Sequence, residues 1–296
     1  MTKRNNEERL GLPSTGAKDT VDASAAATAD TSGGGLSFVS PTAMVDIPSE
    51  GRYYPEGHPL HNQQSLEIRE MTTKEEDILT SKSLIQKGVV FDKLLQNIIV
   101  DPRISPQHLL VGDKNALLVS ARVSGYGEIY ETKVNCPSCY VSQAVSFNLL
   151  NANVKGPVDL SEASENVNSP VSETGDLTFS VRLPKSQLDV ELKLINGQDE
   201  RKITANRAMR KKRKMSENIL TEHLRACIVS VAGTADRQEM DGFIDRMPAQ
   251  DSRFIRKVMN EITPNIDLTQ EFVCDECDYE QDLEVPINAE FFWPDQ

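Results

Sequence analysis

Apolar and polar residues alternate along two widely separated stretches of this chain, and each alternation is broken by a Cys-x-x-Cys turn. An apolar residue stands two places before the first cysteine of each pair, Val134 before Cys136 and Phe272 before Cys274. Four places after the second cysteine comes a glutamine, Gln143 or Gln281; apolar residues follow at the sixth and eighth places, Val145 with Phe147 and Leu283 with Val285. A period of two sends successive side chains to opposite faces of an extended chain, so both stretches predict β-hairpins with the cysteines at the turn. Two more alternating runs, Leu177 to Leu183 and Leu188 to Leu194, flank Pro184-Lys185-Ser186-Gln187 and predict a third hairpin.

Elsewhere the apolar period is helical. Thr72 with Glu75 forms a capping-box pattern ahead of Ile78, Leu79, Leu84 and Ile85. Phe91 to Val100 keeps helical spacing until Asp101-Pro102. Asp113 is placed to cap a helix that is apolar nearly all round from Ala116 to Val123, hence buried, and that stops at Gly125-Tyr126-Gly127. Further helices are expected over Gln198 to Arg210, over Met215 to Val231, from Asp236 through Phe243, and from Pro248 to Ile262. Ile47 to Tyr54 reads as an extended segment with turns, and Val154 to Thr174 as a polar, flexible connection.

These elements predict an α+β fold with a mainly helical body, one β-hairpin, and two cysteine knuckles from distant segments joined into a ribbon. Residues 1–36 are small and polar and cannot bury enough surface to offset ordering entropy, so they are expected to be a disordered tail dispensable for folding. Residues 37–296 are expected to form one composite domain opening near Phe38. Its knuckles span 129–149 and 268–287, with helices and a hairpin inserted between them.

Composition narrows the classes. The 296 residues carry a formal charge of -13, which argues against wholesale wrapping of nucleic acid. Aromatic residues make up 5% and Trp293 is the one tryptophan, so the core must be mainly aliphatic. No run of 18 apolar residues is present to span a membrane. Met1 to Leu10 is charged and lacks an apolar signal core, so the chain reads as intracellular and its cysteines as reduced.

Cys136, Cys139, Cys274 and Cys277 then read as one four-thiolate site. A tight turn offers two soft donors with the right bite, and a tetrahedral metal needs two such turns. Zinc suits a closed thiolate set, one ion per chain; a rubredoxin-type iron centre is the alternative. A redox dithiol would open a helix, whereas Val141 to Leu149 alternates like a strand. Cys227 falls on a helical stripe with Leu220, Leu224, Ile228 and Val231, as a small buried hydrophobe does.

The other candidate is a basic run made by Arg207, Arg210, Lys211, Lys212, Arg213 and Lys214. It reads as a solvated helix or loop that contacts an acidic protein surface; phosphate contact is the alternative, without interleaved aromatics to stack bases. His58 and His61 fit a surface turn, His108 and His223 pair with no nucleophile, Glu75 to Asp77 suit a helical first turn, and Gly33 to Gly35 lacks a following lysine. No enzymatic function is expected.

Several stretches in order resemble the zinc-knuckle baseplate hub or hub-assembly family of T-even-type, contractile-tailed bacteriophages. They are Ile47 to Tyr54 (IPSEGRYY), Met71 to Leu79 (MTTKEEDIL), Leu110 to Tyr126 (LVGDKNALLVSARVSGY), Val134 to Cys139 (VNCPSC), Leu194 to Glu200 (LINGQDE) and Met247 to Arg256 (MPAQDSRFIR). The resemblance implies a noncatalytic tail-assembly protein that works in the host cytoplasm, is a candidate virion component, and has other tail and baseplate proteins as partners. A homo-oligomer is compatible with it. A zinc-ribbon regulator that binds nucleic acid through residues 207–214 is the competing function.

Overall fold

The computed structural model describes residues 40–174, 177–285, 287 and 289–292. The tail expected over 1–36, the opening at Phe38, and Trp293 lie outside them. β1 (Thr42–Asp46) pairs antiparallel with β2 (Ser65–Arg69), and α1 (Thr73–Leu79), α2 (Lys82–Gln86), α3 (Val90–Ile98) and α4 (Val111–Tyr126) follow. β3 (Ile129–Asn135) and β4 (Ser142–Asn148) make the first cysteine hairpin. Next come β5 (Asn153–Lys155), α5 (Leu160–Val167), β6 (Val171–Thr174), β7 (Thr178–Arg182), β8 (Asp189–Lys193), α6 (Gly197–Lys212), α7 (Ile219–Cys227) and β9 (Ile228–Val231). The chain closes with α8 (Arg237–Arg246), α9 (Ala249–Ile262), β10 (Asn265–Asp267) and the second cysteine hairpin, β11 (Thr269–Val273) with β12 (Glu280–Glu284). Strands β6, β7, β8 and β9 form a four-stranded antiparallel sheet, and β10 returns to pair with β5.

The class is α+β, but helix accounts for 40% and strand for 25%, so the body is mixed rather than mainly helical. One core runs from Val45 to Phe292. At its far end Phe291 packs on Tyr130 (ring centroids 5.3 Å) and Phe292 on Phe91 (5.9 Å), while the buried Arg122 Nε donates to the Phe291 carbonyl at 2.9 Å. No helix of the described residues is long and apolar enough to cross a membrane.

Three expectations need correction. The stretch from Thr72 to Ile85 is two helices rather than one, broken at Thr80-Ser81, although the capping box forms as read, with Thr72 N–H donating to Glu75 Oε2 at 2.9 Å. Val154 to Thr174 is not a loose connection: it holds β5, α5 and β6, because Ala163 and Val167 are buried on α5, which packs against α9, and β5 pairs with β10. Met215 to Val231 is not one helix either. Only Ile219–Cys227 is helical, and Ile228, Val229 and Val231, whose β-branched side chains suit a pleated surface, continue as β9 beside β8.

Asp113 is a correction of another kind. It lies in the first turn of α4 rather than ahead of it, and it is fully buried. Its carboxylate accepts from Ser49 N–H (2.9 Å), Ser49 Oγ–H (2.7 Å) and Tyr54 Oη–H (2.6 Å), and the Tyr54 oxygen accepts from Leu110 N–H at 3.0 Å. The segment Ile47 to Tyr54 is thereby tied to the start of α4. Beside it, Gly112 lets β10 approach: a Cβ there would lie 2.0 Å from the Pro264 carbonyl oxygen.

Candidate functional site

The two cysteine turns repeat one another in backbone detail. In the first, Cys136 N–H donates to Val141 O (2.9 Å) and Tyr140 N–H to Cys136 O (3.0 Å); in the second, Cys274 N–H donates to Tyr279 O and Asp278 N–H to Cys274 O, both at 3.0 Å. The residue after the second cysteine is left-handed in each, Tyr140 at φ 62° and Asp278 at φ 51°. This turn brings both sulfurs of a pair to the same side of the hairpin.

The fold then places the pairs face to face. Cys136 Sγ lies 3.8 Å from Cys277 Sγ, Cys139 Sγ lies 3.6 Å from Cys274 Sγ, and all four sulfurs fall within 4.8 Å of one another. Four thiolates around one ion at a bond length of about 2.3 Å sit about 3.8 Å apart at the corners of a regular tetrahedron. The separations of 3.6 and 3.8 Å are close to that edge and far longer than a disulfide of about 2.05 Å. The four cysteines can therefore hold a metal ion. Cys136 and Cys274 are buried, Cys139 half-buried and Cys277 exposed, so the site opens on one side.

Period-two patterning explains the packing around the sulfurs. Tyr130, Phe147 and Val285 reach the main core, Leu283 and the buried Phe272 form a small cluster with Cys136 and Cys274, and Val134 and Val145 pack against both. Two glutamine side chains bridge the hairpins. Gln143 Nε2 donates to Val273 O and its Oε1 accepts from Asp275 N–H, both at 3.0 Å; Gln270 Nε2 donates to Asn148 O (2.9 Å) and its Oε1 accepts from Asn148 N–H (3.2 Å). The matching glutamine, Gln281, stays within its own hairpin and accepts from Tyr279 Oη–H at 3.2 Å.

The thiols differ in acidity. Desolvation raises Cys136, but the Cys139 and Ser138 N–H groups and neighbouring thiols outweigh it and bring it down to about 6. At Cys139 the Val141 N–H lowers the value, yet desolvation and the adjacent sulfurs push it up to about 12. Cys227 is remote from this chemistry: burial pushes its thiol up to about 12, and it donates to the Leu224 carbonyl at 3.5 Å. It ends α7, and Leu220, assigned to the same stripe, is instead exposed.

The basic run occupies the free end of α6. The base of this helix is fixed, with Gly197 and Asp199 buried and Asn196 Oδ1 accepting from the Gln198 and Asp199 N–H groups. From Thr204 onward nearly every residue is exposed. Arg207 pairs with Glu217 at 3.5 Å and Arg210 Nε donates to Ser216 O at 3.0 Å. Lys211, Lys212, Arg213 and Lys214 have no partner among the described residues. Four cations near a helix C-terminus also complement its dipole. The exposed Met209 and Met215 lie among them.

Sequence reading missed the residue that steadies this arm. Glu222 of α7 accepts from Asn206 Nδ2 (2.7 Å), Asn218 Nδ2 (2.9 Å) and Arg225 (3.1 Å), so one carboxylate ties α6, the connecting loop and α7 together. No pattern in the chain marks it, because its partners come from three separate segments. Desolvation raises its pKa, but these donors outweigh it and leave the carboxyl below its usual range. A lowered folded value means that the contribution is present above the unfolded pKa and is lost as pH falls through the folded one. Glu222→Gln should therefore speed tryptic cleavage within 207–214 at neutral pH. The stability gap between Glu222→Gln and the parent chain, followed by helical circular dichroism, should close in acid. An unchanged cleavage rate would remove Glu222 as the anchor.

The histidines serve the turn expected of them. His58 stacks on Tyr54 at 4.6 Å, its Nδ1 accepts from Leu60 N–H at 3.1 Å, and His61 Nδ1 donates to Tyr54 O at 2.7 Å.

Residues 47–293 match the model of a family described as T4 bacteriophage base plate protein, a span that takes in all four cysteines and the basic arm. No curated protein matches the chain. Nor does any solved structure.

Proposed function

Because this chain belongs to the T4 bacteriophage base plate protein family, we propose that it is a non-enzymatic hub subunit or hub-assembly factor of the phage tail, stapled by one structural zinc ion. The family match over 47–293 carries this reading, since it spans the metal candidate, the arm and most of the core. Zinc is the metal favoured by a four-thiolate set with tetrahedral spacing and no open position for substrate. When bound, it supplies four metal–sulfur bonds that join the β3–β4 and β11–β12 hairpins into a ribbon. The chain's own residues do the rest: Gln143 and Gln270 align the hairpins and Phe272 keeps water from the inner sulfurs.

On this reading residues 37–296 act as one composite domain, and Arg207, Arg210, Lys211, Lys212, Arg213 and Lys214 are its contact with acidic tail or baseplate proteins. The protein works in the host cytoplasm during assembly and is retained in the virion. A phage carrying Arg210, Lys211, Lys212 and Arg213 all changed to Ser should accumulate heads with few attached tails. Normal tail yield from that phage removes the arm from the mechanism, and normal yield from a full deletion removes the function. DNA or RNA binding that weakens steeply with salt would favour the regulator instead.

A further inference from the structure

The arm requires a counter-surface that is acidic and partly apolar, and the chain itself carries one. The hairpin β11–β12 holds seven carboxylates between Glu271 and Glu284, with no lysine or arginine from Thr269 to Glu284. All seven are exposed, and none enters an ion pair among the described residues. Val273 and Tyr279 are exposed on the same hairpin, as Met209 and Met215 are on the arm. The hairpin is also held stiffly by Gln143 and by the cysteine cluster, so binding there costs little ordering entropy. By contrast, β3–β4 carries Glu131 against Lys133 and is nearly neutral.

Within one chain no ion pair joins residues 207–214 to 269–284 among the described residues. We infer that they meet between copies, the α6 arm of one molecule docking on the β11–β12 hairpin of a second. This rests on the arm being a contact surface and names its partner. At -13 per chain, two copies carry net repulsion, and facing the arm to the acidic hairpin is an orientation that reverses its sign locally. Two reciprocal contacts close a dimer, whereas a one-way contact continues into a ring or filament.

Light scattering on the full, zinc-loaded chain tests this. The mass should exceed one chain at about 50 mM salt, with association at least about tenfold weaker at about 500 mM. Changing Arg210, Lys211, Lys212 and Arg213 to Glu, or Glu276, Glu280 and Asp282 to Lys, should each give single chains that keep one zinc ion. Mixing the two variants should restore association, because the unaltered arm of the hairpin variant can dock on the unaltered hairpin of the arm variant. A single-chain mass at low salt, association untouched by either reversal, or a mixture that stays apart overturns the inference. If the chain is single while the arm-serine phage still loses its tails, self-association alone fails and the arm as a contact for another acidic protein stands.

Discussion

Cys274→Ser is expected to lower metal binding and to unfold the cysteine ends of both hairpins while leaving the main body folded. Cys274 is fully buried and its sulfur lies 3.6 Å from Cys139 Sγ, so a shorter, hard hydroxyl at this corner cannot complete the thiolate set. Each hairpin is two-stranded, and such a unit is marginal alone. The apolar cluster beneath the sulfurs is small, with Phe272 its one large fully buried member. Binding of structural zinc to small peptides is worth about 10–16 kcal/mol, so a zinc ion held by these cysteines would dominate the stability of this region. The sheet β6 to β9 and helix α4 belong to the main core, which the cysteine ends of the hairpins do not enter. The expected result is less than one equivalent of zinc, with amide protection lost near the cysteine turns, over 133–144 and 271–282, and kept in α4 and at the hairpin ends that Tyr130, Phe147 and Val285 anchor in the main core. A chelator should do the same to the parent chain. One full equivalent of zinc in Cys274→Ser with unchanged protection, or iron as the native metal, would overturn the zinc assignment.

Asp113→Ala should be the most damaging substitution in the body. It leaves Ser49 N–H, Ser49 Oγ–H and Tyr54 Oη–H without their acceptor at a fully buried site. At about 1–3 kcal/mol per buried donor and incomplete additivity, the loss should be about 3–5 kcal/mol, or roughly 10 °C in Tm. Asp113→Asn, which keeps one acceptor oxygen and the shape, should cost less. Burial raises the Asp113 carboxyl above its ordinary value, and the three donors only partly offset this. For a raised folded pKa the stabilising contribution is full below the unfolded pKa and is lost as pH rises through the folded value. The gap between parent and Asp113→Ala should therefore be wider in mildly acid than in alkaline solution, as urea melts at several pH values will show. A pH-independent gap below about 1 kcal/mol would mean that the segment from Ile47 to Tyr54 is held by packing instead.

What local patterning could show, it showed. Both cysteine hairpins, the hairpin from Leu177 to Leu194 and the start of α9 after Pro248 are where alternation, turn residues and capping place them. These signals act within a few residues, through side-chain direction and orphan backbone groups. Readings failed where a distant strand decided the outcome. Ile228 to Val231 has helical spacing with Leu224, yet becomes β9 because β8 offers an open edge of hydrogen-bonding groups. Val154 to Thr174 has too few apolar residues to predict order, yet β10 and α9 supply the missing partners.

The same division holds at the site. Four cysteines in two matching turns named the chemistry, because the ligand type and bite are properties of a few adjacent residues. That the turns meet with sulfurs 3.6 and 3.8 Å apart, that Gln143 and Gln270 bridge the hairpins while Gln281 does not, and that Asp113 and Glu222 are anchors was decided by tertiary structure alone. A buried carboxylate is made tolerable by donors from elsewhere in the chain, and the identity of those donors is written in the packing of whole elements rather than in the residues beside it.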